Sequence, residues 1–179
     1  MQYRRAYING SSYFFTVVTE GRQKLFVNEM NVDILRQAFS HVMNKRPFVI
    51  DAAVILPDHI HCIWTLPPDD ANFSIRWRLI KSRFTKHCDN KYKIKPNLSR
   101  IRKNEQAIWQ HRYWEHLLHD ELDFENHVNY IHYNPVKHGY VNKASNWKFS
   151  SIHRYIKQGI ISDNWGSLGV SFSDEIGNE

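Results

Sequence analysis

The apolar run from Leu56 to Leu66 constrains the fold of this chain more than any other stretch of the sequence. It has a Pro-Asp turn signal near its start and is rich in bulky aliphatic and aromatic residues, which is typical of a buried strand. Side chains alternate along a strand, so His59 and His61 are expected on one face and Ile60 on the other. The stretch therefore predicts two imidazoles side by side above an apolar underside, which is a suitable start for a divalent metal site.

The histidine pair does not establish a metal site by itself. Histidine accounts for 11 of the 179 residues, so a His-x-His pair can arise by chance. Imidazole is a common metal ligand, but it also occurs in protein interiors without a metal. Catalysis would need a third ligand and a reactive group from elsewhere in the chain.

The rest of the sequence alternates between strand and helix patterns and predicts a mixed α and β fold. Strands are predicted at 12–19, at 48–56 and within 108–118, and helices at 28–44, 72–88, 121–133 and 147–157. Pro135 is expected to end the helix that precedes it, because the residue before proline disfavours the α region. The length suits one domain, which we place at 1–157, followed by an acidic tail at 158–179 without lysine or arginine.

The basic and aromatic composition favours a nucleic-acid partner. The chain has 24 Lys and Arg against 18 Asp and Glu, and aromatic residues make up 14% of it. Such chains can neutralise phosphates and stack unpaired bases, although many basic proteins bind no nucleic acid. The basic residues at 72–88 are spread around the predicted helix, and those at 89–105 lie in a segment that we interpret as a mobile basic loop. Both groups also fit a solvated surface.

Membrane and secreted proteins are disfavoured. No window approaches the roughly 18 uninterrupted apolar residues of a membrane helix, and the N-terminal segment lacks the apolar run and cleavage site of a signal peptide. Cys62 and Cys88 are the only cysteines and have no framework spacing, which suits a reducing compartment. We therefore expect a cytoplasmic protein with no membrane partner.

A tyrosine and an asparagine near the end of the predicted helix at 121–133 can complete a metal site. Tyr130 and Asn134 are four residues apart and hence on one helical face. If that face packs over the histidine strand, Asn134 can offer an amide oxygen to the metal and Tyr130 can act as a nucleophile. Other interpretations stay open, because Tyr130 also suits a core position and Asn134 a helix end. Three further tyrosines compete for the catalytic role: Tyr113, Tyr133 and Tyr140.

These motifs together resemble a known family. His59-Ile60-His61 is a His-hydrophobe-His (HUH) motif, and the stretch from Tyr130 to Gly139 follows it at a family-like distance. The chain is similar to single-tyrosine HUH transposases and, more closely, to the REP-associated tyrosine transposases of bacteria, nucleases that process repetitive extragenic palindromes. The stretches that carry the resemblance cover most of residues 3–155 and are 3–5, 13–16, 56–64, 109–110, 113–116, 130–139 and 147–151.

The resemblance implies a fold, a site and a partner. The fold would be α+β and ferredoxin-like, an antiparallel sheet with helices packed on it. His59 and His61 would hold a divalent metal ion, Mg²⁺ or Mn²⁺, with Asn134 at the family's third-ligand position and Tyr130 as the nucleophile. Single-stranded or hairpin DNA would be bound by a monomer or homodimer, associated with the nucleoid and without an obligatory protein partner. Basic residues expected to contact this DNA are Arg4, Arg5, Arg76, Lys81, Arg83 and Lys137.

The hypothesis that follows is a strand-transfer nuclease. Tyr130 would attack one phosphate of a single strand beside a hairpin, which leaves a 5′-phosphotyrosine and a free 3′-hydroxyl. Two alternatives remain: a module that binds hairpins without cutting them, and a hydrolase that uses the two histidines to activate water. The acidic tail is expected either to lie in the DNA groove and inhibit binding or to form a disordered end.

Overall fold

The computed structural model describes residues 6–102, 105–167 and 169–170 of the chain. The strands and α-helices in this part of the chain agree with most of the predicted segments to within a few residues. In chain order they are β1 (Ser12–Val18), α1 (Glu29–Lys45), β2 (Val49–Ile55), β3 (His59–Thr65), α2 (Phe73–His87), α3 (Leu98–Arg102), β4 (Trp114–Leu117), α4 (Glu121–Lys137) and α5 (Ile152–Lys157).

The three long helices each begin at a polar side chain that accepts a hydrogen bond from a backbone amide of the first turn. Asn28 accepts from the Met30 amide at the start of α1, and Asn72 accepts from the Ile75 amide at the start of α2. Asp120 caps α4 in the same way. These residue types satisfy amides that the helix itself leaves without acceptors, so the sequence marks where each helix begins.

The four strands form one antiparallel sheet in the order β2-β3-β1-β4. Helix α1 connects β1 to β2, and α2 connects β3 to β4, which is the β-α-β-β-α-β arrangement of ferredoxin-like folds. The predicted fold class is therefore confirmed. Because β3 and β1 are the two central strands, their side chains are covered on both faces of the sheet.

The face of the sheet toward α1 and α2 carries the larger apolar core. Tyr13 and Phe15 of β1 are buried there, together with Trp64 of β3 and Trp77 of α2. The two tryptophan rings are stacked, with centroids 4.3 Å apart. Aromatic pairs of this kind bury large areas in a defined geometry, so this layer fixes how α1 and α2 sit on the sheet.

Helix α4 packs on the opposite face of the sheet. Phe14 and Ile63, which alternate with the residues of the first core, are fully buried together with Val128 and Ile131 of α4. This second, smaller core brings α4 over β1, β2 and β3. The helix predicted to carry the nucleophile thus covers the strand face on which the two histidines are expected.

The prediction that Pro135 ends this helix is wrong. Helix α4 continues to Lys137 with Pro135 in its last turn. Proline has the φ angle of a helix, and in the last turn its missing N–H and the crowding of the Ile131 carbonyl by its ring affect only the end of the helix. Carbonyl oxygens of the last turn find hydrogen-bond donors nearby, since the amides of His138 and Tyr140 donate to the carbonyl oxygens of Asn134 and Pro135.

The segment 89–105 is also more structured than predicted. It includes α3, and the Arg100 guanidinium lies 2.6 Å from a Glu20 carboxylate oxygen and 3.1 Å from the Trp109 carbonyl oxygen. The Arg100 side chain is largely buried in this contact. The described part of the segment is therefore attached to the body of the domain through Arg100 and through Tyr92, whose hydroxyl accepts from the Asn28 side chain.

The described part of the acidic tail lies against α4 and the turn that follows it. Asp163 pairs with Lys143, and the Trp165 ring lies 6.3 Å from the ring of Tyr133. The last nine residues, 171–179, lie outside the described residues, so inhibition by the tail stays a prediction. None of the helices in the described ranges is both long and apolar enough to span a lipid bilayer.

Candidate active site

Strand β3 places His59 and His61 side by side on the face that α4 covers. Their ring centroids are 4.8 Å apart, and the two residues are 1% and 0% exposed. The even-numbered residues Ile60 and Cys62 point into the core on the other face. The alternation predicted from the sequence is confirmed, and two imidazoles converge in a buried place.

A separate partner orients each imidazole through its Nδ1 atom. His59 Nδ1 lies 2.6 Å from a carboxylate oxygen of Asp58, and His61 Nδ1 lies 2.9 Å from the hydroxyl of Thr16. Metal-binding histidines commonly have their second nitrogen held in this way by a carboxylate or another polar group. With Nδ1 engaged, Nε2 is the atom through which each ring would bind a metal ion.

Helix α4 brings Tyr130 and Asn134 to the same place. The Tyr130 ring centroid is 5.3 Å from that of His61, and Tyr130 is 1% exposed. Asn134 is completely buried, and its Oδ1 and Nδ2 atoms have no hydrogen-bond partner among the described residues. His59, His61 and Tyr130 therefore come together, and Asn134 lies one helical turn after Tyr130 on the same helix. We refer to His59, His61, Tyr130 and Asn134 as the paired-histidine site.

The Asn134 side chain is the observation that tests whether a metal fits. Leaving a buried amide unsatisfied costs about 1–3 kcal/mol, so native proteins rarely do so without a reason. A divalent ion would take up the amide oxygen, and two imidazole nitrogens would complete a mixed nitrogen and oxygen donor set. The residues present fit such an ion.

Lys137 lies at the tyrosine hydroxyl. Its Nζ atom donates a hydrogen bond of 3.2 Å to the Tyr130 oxygen and lies 4.7 Å from the centroid of the Tyr130 ring. The two residues are two helical turns apart on α4, and Lys137 itself is exposed. This lysine was predicted only as a DNA contact. The structure places its ammonium group between solvent and the candidate nucleophile.

The structure contradicts a DNA contact for Arg76. This residue is 1% exposed, and its guanidinium lies 2.8 Å from a carboxylate oxygen of Asp70. It also donates to the carbonyl oxygens of Arg46, Pro47 and Asn72. The Arg76 hydrogen bond lowers the pKa of Asp70 from its ordinary value. Arg76 thus joins the end of α1 to the start of α2 and has no surface to offer.

The other predicted DNA contacts are dispersed. Lys81 donates to the Gln110 carbonyl oxygen at 3.0 Å and lies 5.4 Å from the Tyr113 ring centroid. It lines a cleft of ≈ 870 Å³ whose other basic residues are Arg78, Lys86, Lys93, Arg100 and Arg112. Arg83 lies instead toward α1, near His41. Arg4 and Arg5 lie outside the described residues.

Sequence reasoning missed a second group, formed by His116 of β4 with Asp123 and His127 of α4. We call these three residues the bridged cluster. One Asp123 carboxylate oxygen lies 2.9 Å from His116 Nε2, and the other lies 3.0 Å from His127 Nδ1. The Asp123 and His127 spacing of four residues is a helical-face signal, but nothing in the sequence showed that His116 would face it.

The environment of the bridged cluster sets its charges. Burial lowers the pKa of His127. Burial acts to raise the pKa of Asp123, but the hydrogen bonds from the His119 amide and His116 outweigh it, and the net shift is downward. A neutral imidazole and an ionised carboxylate are therefore favoured at neutral pH.

One aromatic ring of β1 connects the bridged cluster with the paired-histidine site. The Phe14 ring centroid is 5.5 Å from that of His61, 6.0 Å from that of Tyr130 and 4.8 Å from that of His127. The two groups thus share the sheet face under α4 without sharing a ligand. Chemically, the first group combines possible metal ligands with a candidate nucleophile, and the second combines possible metal ligands alone.

Comparisons with known proteins identify the family of the chain. A family model described as "Transposase IS200 like" matches residues 7–134, a range that contains the whole paired-histidine site. The chain is 42% identical over 172 residues to the REP-associated tyrosine transposase of Escherichia coli (strain K12), which covers 96% of this chain and 94% of that one. A Haemophilus influenzae chain of the same designation is 41% identical over 164 residues, which is 92% of each chain.

A solved structure is also similar over nearly the whole chain. It shows a REP-associated tyrosine transposase bound to a REP hairpin, and it superposes with a TM-score of 0.79 at 40% identity. The similarity covers 97% of this chain and 95% of that one. The chain therefore belongs to the REP-associated tyrosine transposases, enzymes of the IS200-like transposase family.

Proposed function

We propose that this transposase binds hairpin DNA and cleaves an adjoining single strand through a covalent bond to Tyr130. One observation carries the proposal: α4 holds the Tyr130 ring 5.3 Å from the His61 ring and, one turn later, the buried Asn134 amide. A candidate nucleophile beside two imidazoles, with a buried amide one turn further along the helix that has no hydrogen-bond partner among the described residues, supports the proposal. The similarity to a transposase bound to a REP hairpin supports the choice of DNA as substrate.

His59, His61 and Asn134 are the residues that would hold the metal ion. When bound, a divalent ion draws negative charge from the phosphate oxygens and makes the phosphorus easier to attack. Two of the three donor atoms are imidazole nitrogens, which suit a transition metal better than Mg²⁺. We therefore expect Mn²⁺ to support activity better than Mg²⁺.

The chemical step exchanges one phosphodiester bond for another. The Tyr130 oxygen attacks the phosphorus, its proton passes to solvent, and the bond between the phosphorus and the 3′-oxygen breaks. The 3′-oxygen takes up a proton and becomes a free hydroxyl, while the 5′-phosphate stays on the tyrosine. Because the two bonds are similar in energy, a 3′-hydroxyl can reverse the step and join strands without ATP.

Lys137 has two tasks in this scheme. In the structure its ammonium group lies against the Tyr130 hydroxyl, where it stabilises negative charge that develops on the oxygen as the proton leaves. Tyr130 is covered in this state, so a phosphate must displace part of the cover to reach the hydroxyl. Because Lys137 is exposed and its charge attracts a phosphate, the same residue would also contact DNA.

Denaturing electrophoresis tests the proposal. The protein is incubated with a labelled DNA hairpin that carries a single-stranded flank, with Mn²⁺ or with EDTA. We expect an SDS-resistant adduct with Mn²⁺ that is absent with EDTA and absent in Tyr130→Phe. Tyr133→Phe is the matched control, because this neighbouring tyrosine of α4 packs near Trp165. The Tyr133→Phe protein should form the adduct as wild type does.

The two alternatives give different results in the same experiment. Cleavage without an adduct that persists in Tyr130→Phe would indicate a hydrolase that activates water. Tight binding with neither adduct nor cleavage, across flanks taken from the repeats of the source genome, would indicate a recognition module. Either result would overturn the proposed chemistry while leaving the family assignment intact.

A further inference from the structure

The bridged cluster is the second place on the described part of the chain where metal-binding side chains converge. One ligand atom from each of His116, Asp123 and His127 lies within 4.8 Å of the others, and no other group of three or more His, Cys, Asp or Glu side chains does so among the described residues. Two imidazoles and one carboxylate form a three-ligand set of the kind that holds Zn²⁺ with a water molecule in the fourth position.

The spacing of the donor atoms is close to what such an ion requires. Bonds of 2.0–2.2 Å in tetrahedral geometry put neighbouring ligand atoms about 3.3 Å apart. In the cluster, the Asp123 oxygens lie 2.9 Å and 3.0 Å from the nitrogens of His116 and His127. These contacts go to the two different oxygens of Asp123, and the three ligand atoms lie within 4.8 Å of one another. An ion that replaces the hydrogen bonds must therefore draw these atoms together by at most about 1.5 Å.

The surroundings hold the rings in position and leave an entrance. The rings of His116 and His127 are stacked, with centroids 4.8 Å apart and planes 20° from parallel. The Trp114 ring also stacks with the His116 ring. His127 has 4% of its side chain exposed, whereas His116 has 30% and Asp123 has 21%. An ion can thus enter from solvent and keep a water ligand on the exposed side.

The cluster also connects a short edge strand to a long helix. His116 belongs to β4, a four-residue edge strand, and the other two ligands belong to α4, the helix of Tyr130 and Asn134. A shared ion would fasten the start of α4 to the edge of the sheet. Binding of this ion would change the stability of the fold and the position of α4. This effect does not depend on whether Tyr130 attacks DNA.

We infer that His116, Asp123 and His127 form a second divalent-metal site, suited to Zn²⁺, that fastens α4 to β4 and is separate from the paired-histidine site. The site goes beyond the proposed function, which assigns an ion only to His59, His61 and Asn134. The opposing possibility is that Asp123 serves only as a shared hydrogen-bond acceptor for two histidines.

Metal stoichiometry separates these possibilities. Full-length protein is stripped with EDTA, dialysed and titrated with Zn²⁺ by calorimetry, and we expect two equivalents per chain. His116→Ala and Asp123→Asn should each bind one, whereas His119→Ala, a neighbouring exposed histidine, should still bind two. His59→Ala/His61→Ala should retain one equivalent. Unchanged stoichiometry in both His116→Ala and Asp123→Asn, or a single equivalent in wild type that the His59→Ala/His61→Ala change removes, would overturn the inference.

A measurement on the unmodified protein keeps the test independent of folding defects. The imidazole ¹⁵N resonances of wild type are followed by NMR as Zn²⁺ is added. We expect the nitrogens of His116 and His127 to shift to values typical of metal-bound imidazole, and those of His119 to stay in place. Shifts confined to His59 and His61 would contradict the second site. The electrophoretic adduct is a separate readout, so failure of one proposal is distinguishable from failure of the other.

Discussion

Two groups of histidines lie under α4, and they are held in different ways. In the paired-histidine site, His59 and His61 each have an outside partner on Nδ1, namely Asp58 and Thr16. In the bridged cluster, one internal carboxylate holds both imidazoles. The first arrangement orients both rings and places His61 beside Tyr130. In the second, Asp123 also accepts from the His119 amide, and His127 Nδ1 also lies 2.8 Å from the Asp123 carbonyl oxygen.

This difference indicates which of the two groups is suited to catalysis. A site that acts on a phosphate needs polar atoms that are held in position but do not form hydrogen bonds with each other. The Asn134 side chain is the clearest case among the described residues. A group that satisfies itself can be stable without any ligand, and an ion then adds rigidity. Histidine counts alone do not separate the two cases, but the partner of the second nitrogen does.

The largest expected difference between the two groups appears when one imidazole is removed from each and the rate of adduct formation is measured. We expect His61→Ala to lower the rate of adduct formation by about 10³-fold, because the phosphate loses the charge stabilisation that a bound ion supplies. His127→Ala should lower the same rate by less than about tenfold, while it lowers the melting temperature measured with Zn²⁺. Single-turnover kinetics and thermal unfolding of the two variants check this, and equal rate losses would contradict the division of roles.

Removal of the ammonium group at Tyr130 should have the next largest effect. Lys137→Met keeps most of the packing against the ring but removes the donor to the hydroxyl oxygen. We expect adduct formation to slow by about 10²-fold, as when a single charge-stabilising donor is removed from an active site. Lys143→Met, which breaks an exposed ion pair with Asp163, is the control for a general loss of positive charge. A similar loss in both variants would assign Lys137 to DNA affinity alone.

A fourth buried histidine, His132, belongs to neither group and extends the comparison to the pH dependence of stability. Burial lowers the pKa of His132 to about 3, and its Nε2 pairs with the Ser151 hydroxyl. Between pH 6.5 and this value the unfolded chain binds a proton that the folded chain does not, so stability falls as the pH falls. In EDTA, we expect His132→Gln to lose about 1.6 kcal/mol less stability than wild type between pH 6.5 and pH 5. Parallel urea-unfolding profiles for the two proteins would contradict the prediction.

The smallest expected effect is on the free energy of unfolding, and it is a gain in stability. Asn134→Leu replaces an unsatisfied buried amide with an apolar group of similar size, so the free energy of unfolding in EDTA should rise by about 1 kcal/mol. The same variant should lose adduct formation, because it removes the proposed third ligand. Urea unfolding beside the electrophoretic assay measures both. A clear loss of stability in EDTA would mean that the Asn134 amide is satisfied in the folded protein.

The sequence predicted the main features of the fold and of the paired-histidine site because these depend on local periods. Alternation along β3 put His59 and His61 on one face, and the four-residue spacing on α4 put Tyr130 with Asn134. Arg76 could not be assigned in this way, because its burial depends on three carbonyl oxygens and Asp70, which only the tertiary structure brings together.

The bridged cluster escaped prediction for a related reason. It depends on the register that sets His116 of β4 opposite Phe14 of β1 and beneath α4. No period within one segment contains that information. The extension of α4 past Pro135 also depended on context, because the amides that satisfy its last carbonyls come from the turn that follows.

The most direct test of the account is to identify the residue that carries the DNA. The adduct formed with Mn²⁺ is digested with nuclease and trypsin, and the peptide that bears the remaining nucleotide is sequenced by mass spectrometry. We predict a 5′-linked nucleotide on Tyr130 and on no other tyrosine. Attachment to Tyr133, Tyr113 or Tyr140, or cleaved DNA without any modified peptide, would contradict the assignment of the paired-histidine site as the catalytic centre.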